Sequence, residues 1–444
     1  MKTKTLDEIT TKIGSGATPR GGQNAYQEEG ISLIRSQNVY DFSFSKGGLA
    51  FITDEQAKKL NNVTVEKGDV LLNITGDSIA RTCIVPDEIL PARVNQHVSI
   101  IRCKKGYDSR FVNYYLINLK PYLLQICGVG GTRNALTKEA LQNLEIKIPS
   151  NQKQIAKVLS DLDAKIEVNN KINQELEAMA KLIYDYWFVQ FDFPFDFAQG
   201  KPDPNGKPYK SSGGKMVYNK ELKREIPEGW EVGTLLDIAN YQNGIACQKF
   251  RPIDETYLPV IKIKEMRDGY TDKTEKVRLD VPDRVKIFDG DVLFSWSASL
   301  EVIIWSGGKG ALNQHIFKVT SDNYPKSYYY FELLNYLQHF KMIADLRKTT
   351  MGHITQDHLK QSRISIPPYD LCFRLEEKIG PILKSIVSNR QQNQKLSELR
   401  DWLLPMLMNG QVTVANDELG ITNAELGNDL GMVAEETQEY KYTK

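Results

Sequence analysis

Residues 155–187 read IAKVLSDLDAKIEVNNKINQELEAMAKLIYDYW, and this stretch has the clearest periodicity in the 444-residue chain. Residues at alternating steps of four and three form one line, which is the a and d spacing of a coiled coil. A second such line, with one slipped step, lies near the C-terminus, where Pro405 is expected to end the helix. The patterns predict two long helices, the first roughly 48 Å long at about 1.5 Å per residue. The two lines consist of Ile155, Leu159, Leu162, Ile166, Asn169, Asn173, Leu176, Ala180, Ile183 and Trp187, and of Leu375, Ile379, Ile382, Ile386, Asn389, Asn393, Leu396, Leu399 and Leu403.

Two asparagines interrupt each line at matching places. Asn169 and Asn173 in the first helix correspond to Asn389 and Asn393 in the second, 220 residues later. Polar side chains at seam positions reduce stability but fix register and partner orientation. We therefore predict that the two helices pack on each other in one alignment, with these four asparagines setting the register. The alternative is that each helix packs on its own domain and leaves its asparagines in water.

A repeat of about 220 residues extends beyond the helices. Gly68-Asp69-Val70-Leu71 recurs as Gly290-Asp291-Val292-Leu293, and Asn95-Gln96-His97 recurs as Asn313-Gln314-His315. Each copy begins with stretches rich in Val, Ile, Phe and Tyr that predict strands, followed by a shorter helix and the long helix. Units of this length indicate a duplicated globular domain of the α/β (α+β) class rather than a solenoid. The predicted parts are a first domain at 1–149, a first long helix at 150–192, a linker that forms a loop at 193–225, a second domain at 226–368, a second long helix at 369–410 and an acidic, mobile tail at 411–444.

The composition limits the possible functions. With 57 Lys and Arg against 56 Asp and Glu, the net charge is +1, so DNA binding would depend on local basic patches. The segment from Ala415 onward carries about −5, which leaves the remainder mildly basic. Five cysteines without C-x-x-C spacing argue against disulfides and a zinc ribbon, and favour the reducing cytoplasm. The N-terminal MKTKTLDEIT lacks the apolar core of a signal peptide, and no apolar run approaches the roughly 18 residues that cross a bilayer.

Known catalytic motifs are missing from the sequence. Neither Gly213-Gly214-Lys215 nor Gly307-Gly308-Lys309 completes a phosphate-binding loop, and no H-E-x-x-H or G-x-S-x-G segment occurs. Pro367-Pro368-Tyr369 is similar to an amino-methyltransferase signature, but Ile366 precedes it where that chemistry needs Asn or Asp. We therefore predict no catalytic residue, no metal ligand and no cofactor-binding residue in this chain.

Several phrases of the sequence resemble the specificity (S) subunit of Type I restriction-modification systems. The resemblance covers residues 1 to about 410, and the helix ends and the phrase IPEGWE are its more specific parts. The phrases are GSGATPRGG from Gly14, LIRSQNVYD from Leu33, GDVLLNITGDSIART from Gly68, LPARVNQHVSIIR from Leu90, INQELEAMAKLIYDYWFVQFDFP from Ile172, SSGGKM from Ser211 and IPEGWE from Ile226.

This resemblance implies a non-catalytic subunit that recognises a DNA sequence. Two pseudo-symmetric target-recognition domains would each bind one part of a split, asymmetric site in double-stranded DNA, separated by an antiparallel pair of the long coiled-coil helices. It implies as partners two methyltransferase subunits that bind S-adenosylmethionine and modify adenine. It further implies restriction subunits that use ATP and Mg to translocate and cleave DNA. Two other functions remain open: a single-chain DNA methyltransferase or nuclease with divergent motifs, and a duplicated scaffold that holds proteins.

The repeat also sorts the candidate DNA-binding residues. Positions that are the same in both copies cannot easily specify different sequences, so we expect the Asn-Gln-His motif to hold the fold or contact the DNA backbone rather than to read bases. A direct base contact by the motif stays open, because Asn and Gln suit adenine and His is versatile. Divergent polar segments are better candidates for base contacts, although each could be an ordinary solvated loop. The candidates in the first copy are Thr18, Arg20, Gly21, Arg35, Gln37, Asn38, Asn73, Thr75, Arg81, Asn95, Gln96, His97, Thr132, Arg133 and Asn134. Those in the second copy are Gln248, Lys249, Lys262, Lys264, Ser295, Trp296, Ser297, Asn313, Gln314, His315, Lys348, Thr349, Thr350 and His353.

Six aromatic residues crowd the end of the first long helix. A patch this apolar is not expected to stay exposed. We expect it to pack against a helix-bundle partner or against a domain of this chain, rather than to stack on bases. The residues are Tyr184, Tyr186, Trp187, Phe188, Phe191 and Phe193.

Overall fold

The computed structural model of the chain describes residues 2–127, 135–346 and 353–414. The chain divides into two compact units. Unit 1 contains Met1–Asp163 together with the segment from Glu398 onward, and unit 2 is Ala164–Ser397. The predicted boundaries place each long helix outside the domains, whereas the boundary between the units falls inside both helices. The predicted acidic tail lies outside the described residues from position 415 onward.

Unit 1 contains two four-stranded sheets and one two-stranded sheet. The first four-stranded sheet is antiparallel throughout, whereas the second contains one parallel pair, Ile31–Ile34 with Ala92–Val94. The two-stranded sheet pairs Lys2–Thr5 with Glu145–Ile148. In spatial order, the strands of the first four-stranded sheet are Thr10–Ser15, Val98–Cys103, Val70–Asn73 and Thr82–Ile84. Those of the second are Ala50–Ile52, Ile31–Ile34, Ala92–Val94 and Thr64–Val65. The short α-helices are Leu6–Ile9, Asp54–Lys59, Ser109–Asn118, Lys120–Ile126 and Lys138–Gln142.

Unit 2 repeats this arrangement of sheets. Its parallel pair is Leu258–Ile261 with Gly310–Leu312, and its two-stranded sheet pairs Glu231–Thr234 with Arg363–Ile366. In spatial order, the strands of the first four-stranded sheet are Asn240–Asn243, Ile316–Thr320, Val292–Ser295 and Glu301–Ile304. Those of the second are Lys276–Val277, Leu258–Ile261, Gly310–Leu312 and Lys286–Ile287. The other α-helices are Leu235–Ile238, Ile263–Asp268, Lys326–Leu346 and Gln356–Gln361. The matching strand order confirms the predicted duplication of an α/β (α+β) domain.

The repeated Gly-Asp-Val-Leu segment leads into an inner strand of each unit, Val70–Asn73 and Val292–Ser295. Side chains of a strand point alternately to its two faces. Leu71 accordingly packs in one core of unit 1, whereas Val70 and Leu72 pack in another. In unit 2, Leu293 likewise packs apart from its neighbour Phe294. One strand buried on both faces thus organises each domain.

The glycine and the aspartate of that segment form the turn before the strand. Gly68 and Gly290 have φ angles of 81° and 86°, a left-handed conformation that favours glycine. Asp69 accepts a hydrogen bond from the backbone of the same turn and pairs with Arg102 at 2.8 Å. These contacts explain why the segment recurs: it specifies the fold of both copies.

The first long helix runs Gln152–Tyr184 and continues as a π-helical turn, and the second runs Tyr369–Asn409. The expectation that Pro405 ends the second helix is wrong. A proline within a helix removes one backbone hydrogen bond. Leu404 and Leu407 are buried in the core of unit 1, and their burial favours the helical path past the proline. Among the described helices none combines the length and the apolar character needed to cross a membrane.

Within unit 2 the two long helices pack against each other in antiparallel orientation. Asn169 Nδ2 donates to Asn393 Oδ1 at 2.9 Å, and Asn389 Nδ2 donates to Asn173 Oδ1 at 2.9 Å. The 220-residue offset exchanges these two hydrogen bonds, as expected of a pseudo-two-fold axis between the helices. All four asparagines therefore meet at the seam, and the alternative in which each helix leaves them in water is wrong. Their role in setting the register stays a prediction.

The linker 193–225 is not a loop as predicted. It contains a three-stranded sheet, and a hairpin pairs Met216–Asn219 with Arg224–Pro227. The many Gly and Pro residues favour turns, but Phe193 stacks on Tyr209 with ring centres 4.8 Å apart. These long-range aromatic contacts give the segment a core that its local composition does not reveal. The three short strands are Lys201–Pro202, Pro194–Asp196 and Lys207–Pro208.

The aromatic cluster at the end of the first long helix packs within unit 2. Five of its six members are buried, and only Tyr186 is exposed. The ring of Phe188 lies 5.8 Å from that of Trp230, and Tyr184 stacks on Phe331 at 5.1 Å. Of the two predicted roles, the structure shows packing against a domain of this chain.

A carboxyl group lies beside this cluster. Tyr184 donates its hydroxyl hydrogen to Glu332. Burial raises the pKa of Glu332 to about 7, while the hydrogen bond from Tyr184 and the charge of Arg224 act in the opposite direction. Glu332 therefore keeps its proton in the folded protein at pH values where the unfolded chain has lost it.

We expect this group to make unit 2 less stable as the pH rises. Between the ordinary pKa of 4.5 and the folded value of about 7, the folded state binds more protons than the unfolded state, so the free energy of unfolding falls with pH. Glu332→Gln removes the ionisation and can still accept from Tyr184. Its melting temperature, followed by circular dichroism, should match the wild type at pH 4, below the pKa of the unfolded chain, and exceed it at pH 8. A further measurement at pH 5 should give a small difference. A difference that is the same at pH 4 and pH 8 would contradict this.

Candidate nucleic-acid interface

The repeated Asn-Gln-His motif forms the same turn in both units. Asn95 Oδ1 accepts a hydrogen bond from the backbone N–H of His97 at 3.0 Å, and Asn313 Oδ1 accepts one from His315 at 3.3 Å. Both asparagines are buried, so their side chains hold the turn. The glutamine and the histidine of each motif keep part of their surface exposed and are accessible to a ligand.

A polar loop lies against the motif of unit 1. Gly16 permits the close approach, because a Cβ atom there would lie 1.6 Å from a backbone carbonyl oxygen. The hydroxyl of Thr18 donates to Oε1 of Gln96. Arg20 and Gly21, in the same loop, are exposed. The structure thus brings these predicted residues together at one surface.

Two of the predicted asparagines, Asn38 and Asn73, are fully buried. The amide of Asn38 donates to the carbonyl oxygen of Ser45 at 2.9 Å. That of Asn73 donates to the carbonyl oxygen of Ser36 at 2.8 Å and to the hydroxyl of Ser78 at 3.0 Å. These hydrogen bonds tie neighbouring loops together. The geometry therefore favours a positioning role for both asparagines over a direct contact with DNA.

Stacked arginines lie on the same loops of unit 1. Arg35 and Gln37 donate to one shared backbone carbonyl. The guanidinium of Arg35 lies 5.2 Å from the ring centre of Tyr26, and that of Arg81 lies 4.9 Å from the ring centre of Tyr40. The prediction omits both tyrosines. An exposed aromatic residue within a polar segment was a usable signal, because arginine and aromatic rings together are typical of nucleic-acid sites.

In unit 2 the predicted segment Ser295-Trp296-Ser297 has a tryptophan between two serines. Ser295 and Ser297 are buried, and the hydroxyl of Ser295 donates to the carbonyl oxygen of Ser299 at 2.6 Å. Trp296 between them is partly exposed, and its Nε1 donates to Asn243 Oδ1 at 3.0 Å. The two serines therefore support the segment, and Trp296 is its accessible member.

The predicted lysines of unit 2 differ in their availability. Lys262 is paired with Glu275 at 2.5 Å, which offsets its charge. Lys264 and Lys249 are exposed, as are Gln248 and His353. These exposed side chains are the ones that can reach a phosphate or a base edge.

Six predicted residues lie outside the described residues. The described residues that follow them in the chain make contacts to the segments near the motifs. Ala135 bridges to Thr75 in unit 1, and the N–H of Ile354 donates to the carbonyl oxygen of Trp296 in unit 2 at 2.9 Å. The six are Thr132, Arg133, Asn134, Lys348, Thr349 and Thr350.

Residues 2–127, 135–346 and 353–414 contain no group of three or more His, Cys, Asp or Glu side chains placed to hold a metal ion. The polar surfaces around the two motifs are thus hydrogen-bonding surfaces of amides, hydroxyls, imidazoles and scattered cations. Such groups suit contacts to phosphates and base edges.

A duplicated α/β domain with one such surface in each copy defines a two-domain recognition protein. The family model for the Type I restriction modification DNA specificity domain matches residues 1–178 and 227–400. These segments make up most of the chain, so the chain belongs to this family and contains its domain twice. The predicted resemblance is thereby confirmed, and the comparisons favour neither of the two alternative functions.

Relatives of the same kind span nearly the whole chain. The Type I restriction enzyme MjaIX specificity subunit of Methanocaldococcus jannaschii is 27% identical over 425 residues, covering 91% of this chain and 91% of the relative. The HindI specificity subunit of Haemophilus influenzae is 24% identical, covering 88% of this chain and 95% of the relative. The crystal structure of a Type I restriction-modification S subunit from M. genitalium has a TM-score of 0.54 at 12% identity, covering 91% of this chain and 95% of that one. This last likeness supports the fold.

Proposed function

We propose that this chain is the DNA-recognition subunit of a Type I restriction-modification complex and reads a bipartite, asymmetric site in double-stranded DNA. The observation that carries the proposal is the pair of surfaces around Asn95-Gln96-His97 and Asn313-Gln314-His315. Their turns are alike, but their neighbours differ: Thr75 faces the motif in one unit and Trp296 in the other. Two similar turns with different neighbouring side chains fit two half-sites of different sequence.

Catalysis would belong to partner subunits. Methyltransferase subunits carrying S-adenosylmethionine would modify adenine in the site, and restriction subunits would use ATP and Mg to translocate and cleave. Membership of the specificity-domain family supports this division of labour. The role of this chain would be to select the DNA on which the partners act.

An exposed apolar line on the first long helix supports docking of a methyltransferase subunit. The line lies within unit 2, on a helix face about a third of a turn away from the seam asparagines. Its most exposed member is Leu182, at 66%. Apolar side chains aligned on one exposed helix face are typical of a protein interface. The members are Val168, Ile172, Met179, Leu182, Tyr186 and Val189.

A matching pair of residues supports docking of a second methyltransferase subunit. Leu399 and Trp402, on the second long helix in unit 1, are also exposed, Trp402 at 55%. They lie 220 residues after Met179 and Leu182, the same offset as the repeat. Equivalent apolar pairs fit two copies of one partner, each bound through one copy of the repeat.

The test combines the purified chain with its cognate methyltransferase subunit, incubates the complex with bacterial genomic DNA that lacks this modification, and maps methylated adenines by sequencing. We expect methylation at one bipartite motif and nowhere else. The methyltransferase subunit alone is the control and should leave the DNA unmodified. Methylation of the same motif without this chain would contradict the proposed function.

A further inference from the structure

In unit 1 the histidine of the shared motif, His97, has hydrogen-bond partners within the protein for its ring nitrogens. The amide nitrogen of Gln96 contacts Nε2 of His97 at 3.1 Å, and the hydroxyl of Thr75 contacts Nδ1. Thr18 donates to the amide oxygen of the same glutamine. Both ring nitrogens of His97 therefore have partners inside the protein.

The corresponding histidine of unit 2 lacks one of these partners. The amide nitrogen of Gln314 contacts Nε2 of His315 at 3.3 Å, which repeats the first motif. Because the amide N–H donates to Nε2, the ring hydrogen is assigned to Nδ1. That Nδ1 is enclosed and has no hydrogen-bond partner. His315 therefore has a donor that the chain itself does not use.

A substitution between the copies accounts for the difference. The backbone path is the same in both units. The N–H of Ile74 donates to the carbonyl oxygen of His97 in unit 1, and the N–H of Trp296 donates to that of His315 in unit 2. Trp296 thus takes the place of Ile74, and Ser297 takes the place of Thr75. Ser297 is buried and leaves the histidine without the hydroxyl that Thr75 supplies.

The indole ring of Trp296 lies beside the imidazole ring of His315. Its ring centre is 5.5 Å from that of His315 and 5.5 Å from that of His353. Its Nε1–H is already donated to Asn243. The rest of the indole ring is apolar carbon and lies beside the imidazole of His315.

We propose that His315 and Trp296 read a T·A pair in the half-site bound by unit 2. A buried donor without an acceptor has an uncompensated desolvation cost, which a bound acceptor removes. In the major groove thymine presents its O4 acceptor beside its C5 methyl group, and no other base combines an acceptor with a methyl group. The Nδ1–H donates to O4 and the indole covers the methyl group, after a side-chain rotation that uncovers the enclosed Nδ1. The inference rests on the proposed DNA-recognition function and deepens it.

The test makes the same substitution at equivalent positions, His315→Gln and His97→Gln, in the complex with the cognate methyltransferase subunit. Methylation by the wild-type complex is mapped first, and the absence of a bipartite motif there would contradict the proposed function itself. His315→Gln should lose discrimination at one T·A position of one half-site and bind the cognate duplex about 10-fold more weakly. His97→Gln, which lies in the surface of the other unit, should leave the half-site bound by unit 2 unchanged, and it should lower the melting temperature because it breaks internal hydrogen bonds.

A second probe isolates the methyl contact. Replacing thymine by uracil at the identified position removes only the C5 methyl group. The wild-type complex should bind the uracil duplex several-fold more weakly in fluorescence anisotropy, and Trp296→Ile should bind both duplexes equally. A folded His315→Gln complex with the wild-type motif and affinity would overturn the proposal, as would equal binding of both duplexes by the wild type.

Discussion

Leu182→Glu should release one methyltransferase subunit from the assembled complex, and Trp402→Glu should release the other. Both side chains are exposed in the chain, so the substitutions should leave its fold intact. In the complex, each glutamate would be enclosed against the partner's apolar surface without a counter-charge. The cost of at least about 2 kcal/mol weakens docking by roughly 30-fold or more.

The measurement is native mass spectrometry of the complex at fixed concentration. The wild type should contain two methyltransferase subunits per chain, each single variant one, and the double variant none. Methylation of the bipartite motif should fall with the number of bound subunits. If all three variants bind fewer methyltransferase subunits and keep the wild-type melting temperature, the substitutions act on docking rather than on folding.

Val217→Glu provides the matched control. Val217 is also an exposed apolar residue of unit 2, but it lies on the hairpin strand Met216–Asn219 rather than on the long helix. It should retain both methyltransferase subunits. If Leu182→Glu retained both as well, the exposed apolar line would not be the docking surface.

The long helices and the duplication could be predicted because both depend on regular spacing. The heptad lines and the 220-residue offset are visible in the residues themselves, and the same offset relates the asparagine hydrogen bonds across the helix seam. The linker could not be predicted in this way. Its strands depend on contacts such as that between Phe193 and Tyr209, which no local signal of Gly and Pro residues reveals.

The candidate site shows a similar division. The sequence locates the Asn-Gln-His motif and its polar neighbours, because both copies can be aligned on it. It does not show which polar side chains turn inward: Asn38, Asn73 and Ser295 are buried, although the same residue types suit base contacts. Nor does it show that Ser297, in the place of Thr75, leaves the Nδ1 of His315 without a partner, since that depends on how the side chains pack.

Asn173→Leu and Asn389→Leu, each alone, should lower the melting temperature by about 4–8 °C. Asn389 Nδ2 donates to Asn173 Oδ1 at 2.9 Å, and Asn173 Nδ2 donates to the carbonyl oxygen of Ile386 at 3.4 Å. Asn173 is 6% exposed, so removing one member leaves the other amide in the seam with a lost partner. An unsatisfied buried polar group costs about 1–3 kcal/mol.

The double variant should behave differently from the sum of its parts. Two leucines at this level continue the apolar seam formed by residues such as Leu176 and Ile386, and no polar group is left unpaired. Replacing both partners of a buried hydrogen bond by apolar groups is often neutral or stabilising. We therefore expect the double variant to melt at or above the wild-type temperature, which gives a large coupling in the double-mutant cycle.

Register provides the second readout of the same cycle. Leucines attract each other equally well in several alignments, whereas asparagines hydrogen-bond in only one. Amide hydrogen exchange in the helix segment 164–184 should therefore be faster in the double variant than in the wild type, even though its melting temperature is not lower. Gln174→Leu, at an exposed neighbouring position, is the control and should change neither property. Additive effects of the two single variants, or unchanged exchange in the double variant, would show that the pair Asn173 and Asn389 does not set the register.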